Sequence, residues 1–364
     1  MSNRPQPYSP WYLSIGYHYA WVVVAAAILN TLIMSAVINT FGIILVPISE
    51  DTGWSRGLVS LAYAIQFVTM AAASPGAGWL SDKIGARRAL AVGSLLFAVG
   101  LALSGRSAHL WQFYLAYGVL MGAALSLLVT PLHVTVGLWF QKKLGLVMGI
   151  VLAAVGLGPL IFVPIVRYLI TITGWGNTLV WVGVVGGAML MVSAWFIRNR
   201  PADLGLQAYG ARLSASQSPA SEQPGVFYTG EESNFSRYVV ATQPFFWLIL
   251  IHFLGCVSHS LPLTHVVAMA SDEGIPSVAA ASVLGLLSGF SIIGRLGMGM
   301  LADRIGGKGA LGITLLIQGM AILILFVARD LGMFYVFAFV FGVGLGGEQV
   351  VFPVLNRQYY GSAP

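Results

Sequence analysis

Charge is what this sequence has least of: Asp, Glu, Lys and Arg make up 8% of its residues, where a soluble domain carries about 25%. A water-facing surface cannot be built from so little. A soluble enzyme or nucleic-acid-binding domain is therefore excluded, and no nucleic acid partner is expected despite the formal net charge of +6. Cysteine is almost missing as well. The single Cys256 rules out a disulfide within the chain and a thiolate metal site. The short alternating segments of a transmembrane barrel are absent. So are a nucleophile and base motif, a metal-ligand cluster and a phosphate-cradling strand and helix pattern, so no catalysis, metal or cofactor is expected. The segment Met1–Tyr17 is polar and Pro-bearing. The apolar block after it is too long, and lacks the small-residue cleavage site, for a secretory signal, so nothing is expected to be removed.

What is present is apolar: 57% of the residues are hydrophobic and the mean hydropathy is +0.84. They come in blocks long enough to cross a hydrocarbon layer of about 30 Å as helices. Ten spans are expected, at 19–47, 57–80, 88–105, 110–137, 145–170, 177–197, 244–270, 277–301, 309–328 and 331–355. Residues 1–197 thus read as an amino-terminal six-helix bundle and 244–364 as a carboxyl-terminal bundle with four helices. The stretch 198–243 between them, with Ser214-Ala215-Ser216-Gln217-Ser218-Pro219 and Glu231-Glu232-Ser233, is too polar to bury a core and reads as a solvated linker.

The basic residues fall on alternate loops. One side holds Arg4, Lys83, Arg87, Arg88, Lys142, Lys143, Arg198, Arg200, Arg212, Arg237, Arg304, Lys308 and Arg357; the other holds only Arg56, Arg106 and Arg329. By the positive-inside rule the amino terminus and the linker lie in the cytoplasm. The expected partner is a lipid bilayer, and the expected location is the plasma (inner) membrane, crossed many times.

One segment repeats. After the second span the chain reads Gly78-Trp79-Leu80-Ser81-Asp82-Lys83-Ile84-Gly85-Ala86-Arg87-Arg88, and after the eighth Gly299-Met300-Leu301-Ala302-Asp303-Arg304-Ile305-Gly306-Gly307-Lys308. The pair resembles the signature Gly-x-Leu-Ala-Asp-Arg-x-Gly-Arg-Lys of the major facilitator superfamily, found between helices 2 and 3 and again between helices 8 and 9. That resemblance implies an all-α fold of two six-helix bundles rocking around a central site. It also implies twelve helices, of which ten are found before Pro364, so the chain is expected to be a fragment or an incomplete bundle. The motif glycine permits close helix approach, and the aspartate can accept bonds from a neighbouring helix's amino end and from the basic residues that follow. Gly78, Asp82, Arg87 and Arg88, with Gly299, Asp303, Arg304 and Lys308, are the candidate gating motif; for the basic members, a purely topological role is the alternative.

A narrower resemblance, to the monocarboxylate and oxalate/formate branch, rests on Tyr19-Ala20-Trp21-Val22-Val23, Gly53-Trp54-Ser55-Arg56 and Trp139-Phe140-Gln141-Lys142-Lys143-Leu144-Gly145-Leu146-Val147-Met148-Gly149, with Gly156, Gly158, Pro159 and Pro164. These are scaffold features and identify no substrate.

Charges deep in a bilayer are costly and mark functional candidates. Three remain once the loops are assigned: Arg167, Arg295 and Glu348. Arg167 lies near the outer interface, where it can reach headgroups. Arg295 lies eight residues before Asp303, about 12 Å into the span. Its planar fork matches a carboxylate, and the resemblance implies the same, since carriers of that branch place an arginine here to hold the substrate carboxylate. Glu348, at similar depth, could pair with Arg295, carry a coupling proton or bond nearby backbone. Thr31, Ser35 and Asn39 gather polar groups on one face of the first span, as a cavity wall or as interhelical hydrogen bonds. Animal monocarboxylate carriers have a lysine where Asn39 falls and an aspartate where Ser291 falls, which puts their proton-coupling scheme in doubt here. The seventh span holds His252, His259 and His265, at spacings that do not assemble a zinc site. Of these His265 resembles a histidine of bacterial relatives and is a substrate or gate candidate.

The candidate substrate site is therefore Arg295, Asn39, Ser35, His265 and Ser291, with Glu348 for proton coupling. The expected function is secondary transport of a small monocarboxylate or related organic anion by alternating access, with protons as the coupling ion. The alternatives are transport of another organic solute or drug-like compound, and a transport-inactive sensor or receptor.

Overall fold

The computed structural model describes residues 18–211 and 235–360. The amino-terminal stretch with Arg4, and the part of the expected linker containing Arg212 and the Ser- and Glu-rich segments, lie outside the described residues. Within them the chain is helical, with one isolated bridge, Phe140 to Tyr209, and nine helical runs long and apolar enough to cross a membrane. One run, Leu144–Phe196, is broken at Gly174, whose φ of 77° and ψ of 163° suit glycine alone. The ten expected spans are thereby all found. They are α1 (Ala20–Thr52), α2 (Arg56–Ile84), α3 (Ala86–Ser104), α4 (Leu110–Trp139), α5 (144–173), α6 (175–196), α7 (Gln243–Asp272), α8 (Ser277–Ile305), α9 (Gly307–Val327) and α10 (Leu331–Tyr360). Helices run past several apolar blocks, α1 by five residues to Thr52 and α10 by five to Tyr360, because polar residues just outside the hydrocarbon still gain by staying hydrogen-bonded in a helix. A π-helical turn, Tyr114–Leu120, interrupts α4, and no hydropathy pattern announces it.

Contacts divide the chain into two compact units: Met1–Gln141 with Leu157–Ala211, and Lys142–Gly156 with Arg212–Pro364. The division thus passes through α5, not only through the linker.

In the first unit α4 is central, packed on α1, α2 and α3, and Phe97, Leu101, Phe113, Leu128 and Trp139 are fully buried. The start of the linker folds back onto it. The Tyr209 N–H donates to the Trp139 carbonyl at 2.8 Å and the Gln141 N–H to the Tyr209 carbonyl at 3.0 Å. The Tyr209 ring lies 5.5 Å from Phe140 and 6.0 Å from Trp21. This aromatic strap fixes the end of α4 against the beginning of α1.

In the second unit Val266, Ala280, Val283, Leu287, Leu325, Phe334, Phe337 and Phe341 form one buried cluster from all four helices. The closest pairing is α8 with α10. A Cβ at Gly346 would run into the Ser291 carbonyl, and one at Gly294 into that of Val343, so the backbones touch. In lipid, where apolar side chains gain nothing by leaving their surroundings, such close packing is what joins helices. Large apolar residues meanwhile face outward throughout, Phe326, Leu160 and Val68 among them, as a lipid-facing surface requires.

Candidate functional site

The two copies of the repeated motif share a geometry. Each joins its helices through a single glycine in a conformation closed to other residues, Gly85 at φ 86° and ψ 148° and Gly306 at φ 84° and ψ 158°. Beyond that they differ. In the second copy Gly299 packs against the Gly145 backbone, and the Asp303 carboxylate accepts the N–H groups of Gly145 and Leu146 at 2.8 and 2.9 Å. Those amides open α5 and have no acceptor within their own helix, so the carboxylate caps them and meets the positive end of the dipole. Arg304 and Lys308 are exposed.

In the first copy the expected contacts are not made. A Cβ at Gly78 would meet nothing closer than Thr130 Cγ2 at 3.9 Å, so close approach is not why glycine stands there. Asp82 is exposed, with Arg200 the opposite charge in its surroundings, and among the described residues it accepts no bond from a helix end. At the start of α3 the Arg87 N–H is met by Asn199 Oδ1, at 3.2 Å. The basic residues also find other company. The Arg87 guanidinium lies 4.2 Å over the Trp195 ring and the Lys83 ammonium 4.1 Å over Trp79, while Arg88 is exposed.

Arg295 is buried, 4% exposed. Its Nη1 donates to Ser291 Oγ at 2.6 Å and its Nη2 to Gln349 Oε1 at 2.9 Å. Both partners are neutral. Its Nε has no hydrogen-bond partner and, among the described residues, no carboxylate pairs with the guanidinium. The first half of α5 backs this place: a Cβ at Gly156 would come within 3.6 Å of Arg295 Nη1, and one at Gly149 within 2.5 Å of the Arg295 carbonyl. The structure thus brings Ser291 to Arg295, one turn away on α8, and adds Gln349, which sequence reasoning missed. A neutral amide leaves no mark on hydropathy, and its reach to Arg295 depends on the glycines that draw α10 onto α8.

Glu348 does not pair with Arg295, the first of the three expectations for it. It is 2% exposed, accepts from Gln318 Nε2 on α9 at 2.8 Å, and has His259 Nδ1 of α7 at 3.7 Å from the same oxygen. Adjacent residues on a helix point about 100° apart, so Gln349 takes the α8 side and Glu348 the side of α7 and α9. Gln318 was also missed.

The remaining candidates lie elsewhere. Asn39 is exposed and donates to the Ser35 carbonyl of its own helix at 2.8 Å, while Ser35 and Thr31 are buried. These belong to the first unit. His265 is exposed on α7 and Arg167 is exposed on α5. His252 stacks edge-on against Phe352 at 4.7 Å.

A family model described as Major Facilitator Superfamily matches residues 24–364. Monocarboxylate transporter 13 of Bos taurus is 29% identical over 294 residues, which are 79% of this chain and 63% of that protein; the chain thus spans less than two thirds of that relative's length. The oxalate:formate antiporter of Oxalobacter formigenes is 23% identical over 352 residues, 94% of this chain and 78% of that protein. A solved proton:xylose symporter superposes with a TM-score of 0.63 at 13% identity, covering 93% of this chain and 86% of that one, a likeness of fold.

Proposed function

Because the chain belongs to the Major Facilitator Superfamily, whose members cross the membrane many times, we propose that it carries a small organic anion, a monocarboxylate in the first instance, by alternating access. The observation that carries this reading is Arg295: a buried guanidinium held by neutral side chains, without a counter-charge among the described residues. Burying an unpaired charge is costly, and the cost is offset when a carboxylate docks against the planar fork. Two relatives whose names specify monocarboxylate and oxalate with formate support the same class. Ser291 and Gln349 orient the guanidinium; Ser35, Asn39 and His265 are secondary candidates for substrate contact. Glu348 is the group that takes up a proton, which makes the carrier a symporter. The motif residues work as a conformational latch, with Asp303 on the α5 amino end as its best-formed half. The excess of Lys and Arg on one set of loops supports an amino terminus and linker on the cytoplasmic side of a plasma (inner) membrane.

The test is uptake of labelled lactate, pyruvate, formate and oxalate into proteoliposomes, with and without an inward proton gradient. We expect gradient-stimulated uptake of at least one acid, abolished in Arg295→Ala with normal membrane insertion. Uptake unchanged in that variant refutes the role of Arg295, and silence toward every acid moves the substrate to another class of organic solute.

A further inference from the structure

We infer that Glu348 and His259 form a single proton-binding site that ties α10 to α7, with Gln318 as its fixed third member; coupling to transport rests on the function proposed above, whereas the proton site stands on geometry. One Glu348 oxygen is bonded by Gln318 and faces His259 Nδ1 at 3.7 Å. Its other oxygen, His259 Nδ1 and Gln318 Oε1 have no hydrogen-bond partner among the described residues. Three buried polar atoms without a hydrogen bond in one cluster call for an explanation, and a group or proton that comes and goes supplies one. Gly255, one turn from His259, lets the carboxylate sit against the bare backbone of α7, since a Cβ there would collide with Glu348 Oε1.

Among the described residues the surroundings supply no fixed cation to this carboxylate. From α7 come the titratable side chains His259, His252 and Cys256, with His252 Nε2 held 3.7 Å from Cys256 Sγ. From α9 comes the neutral Gln318. From α8 comes Arg295, whose bonds go to Ser291 and Gln349. Without a proton between them the pair carries a net charge of −1; one proton, taken from water on one side of the membrane and released on the other, brings it to zero, whether it resides on Nδ1 or on the carboxylate. Net −1 in a buried site is unfavourable, so proton loss favours drawing α7 and α10 apart, letting water reach the carboxylate. Gln349, the next residue of α10, is bonded to the anion-holding Arg295. Anion and proton are therefore read by successive side chains of one helix, which is a physical route for coupling them.

The test is infrared difference spectroscopy of the reconstituted protein across a pH titration, joined to uptake of labelled pyruvate. In the unaltered protein a carboxylic-acid band and an imidazole band change together, as a coupled pair does. Glu348→Gln removes the carboxyl band, and His259→Gln leaves a carboxyl titrating alone, in one independent step. In uptake, an inward gradient of about one pH unit, worth about tenfold in accumulation, loses its effect in Glu348→Gln. Bands that titrate independently in the unaltered protein, or are indifferent to both substitutions, overturn the proton site. Paired titration in a protein that moves none of lactate, pyruvate, formate and oxalate upholds the site and overturns the carboxylate reading instead.

Discussion

At the scale of single residues, the arrangement around Arg295 works by what it withholds. Ser291 and Gln349 satisfy two donors without neutralising the charge, which leaves the guanidinium oriented and still attractive to an anion. Placing a carboxylate at Gln349 gives the arginine an internal partner that competes with the substrate. Gln349→Glu is accordingly expected to raise the KM for the transported anion by about a hundredfold, the effect of roughly 3 kcal/mol. Gln349→Leu removes one hydrogen bond and is expected to raise it about fivefold, for roughly 1 kcal/mol. Concentration-dependent uptake measures both, and equal effects of the two substitutions would show that Gln349 acts by shape alone. Arg295 itself was legible in the sequence, because a cation amid apolar residues violates hydropathy. Gln349, Gln318 and the pairing of His259 with Glu348 were not, because they depend on which helices become neighbours.

At the scale of elements, the repeated motif is one backbone geometry serving two sites unequally. The sequence predicts equal roles for Gly78 and Gly299 and for Asp82 and Asp303, yet only the second copy meets a helix amino end. Gly299→Ala, which drives a Cβ into the Gly145 backbone, is expected to destabilise the protein by about 1–3 kcal/mol, whereas Gly78→Ala stays within about 0.5 kcal/mol of the parent. Asp303→Ala removes the cap of α5 and costs about 0.5–2 kcal/mol; Asp82→Ala is close to neutral. Thermal unfolding in detergent ranks the four variants, and losses of similar size in the two copies would contradict the asymmetry. Spans were legible because ten apolar blocks of membrane length leave helices as the only way to satisfy the backbone. The π-turn in α4 and the linker's strap on Trp139 and Phe140 were not, since both are set by tertiary contacts around ordinary aromatic residues.

At the scale of the whole molecule, an all-α membrane fold carries its basic residues on one set of loops and, among the described residues, buries Arg295 with no carboxylate beside it. The charge distribution predicts sidedness. With Cys256→Ser as background, a cysteine replacing Lys142 is expected to react with an impermeant maleimide only from the cytoplasmic side, and one replacing Arg329 only from the opposite side. Labelling of both from one face would invert or break the topology read from the loops. The central claim, that Arg295 is an anion site, is tested most directly by thermal unfolding of the purified protein with a small carboxylate and with its neutral amide, lactate against lactamide and pyruvate against pyruvamide. A ligand at a hundred times its Kd stabilises by about 2.7 kcal/mol. A rise in Tm is expected with at least one acid, none with its amide, and none with either in Arg295→Gln; equal stabilisation by acid and amide, or stabilisation by the acid that survives Arg295→Gln, would show that Arg295 is not an anion site.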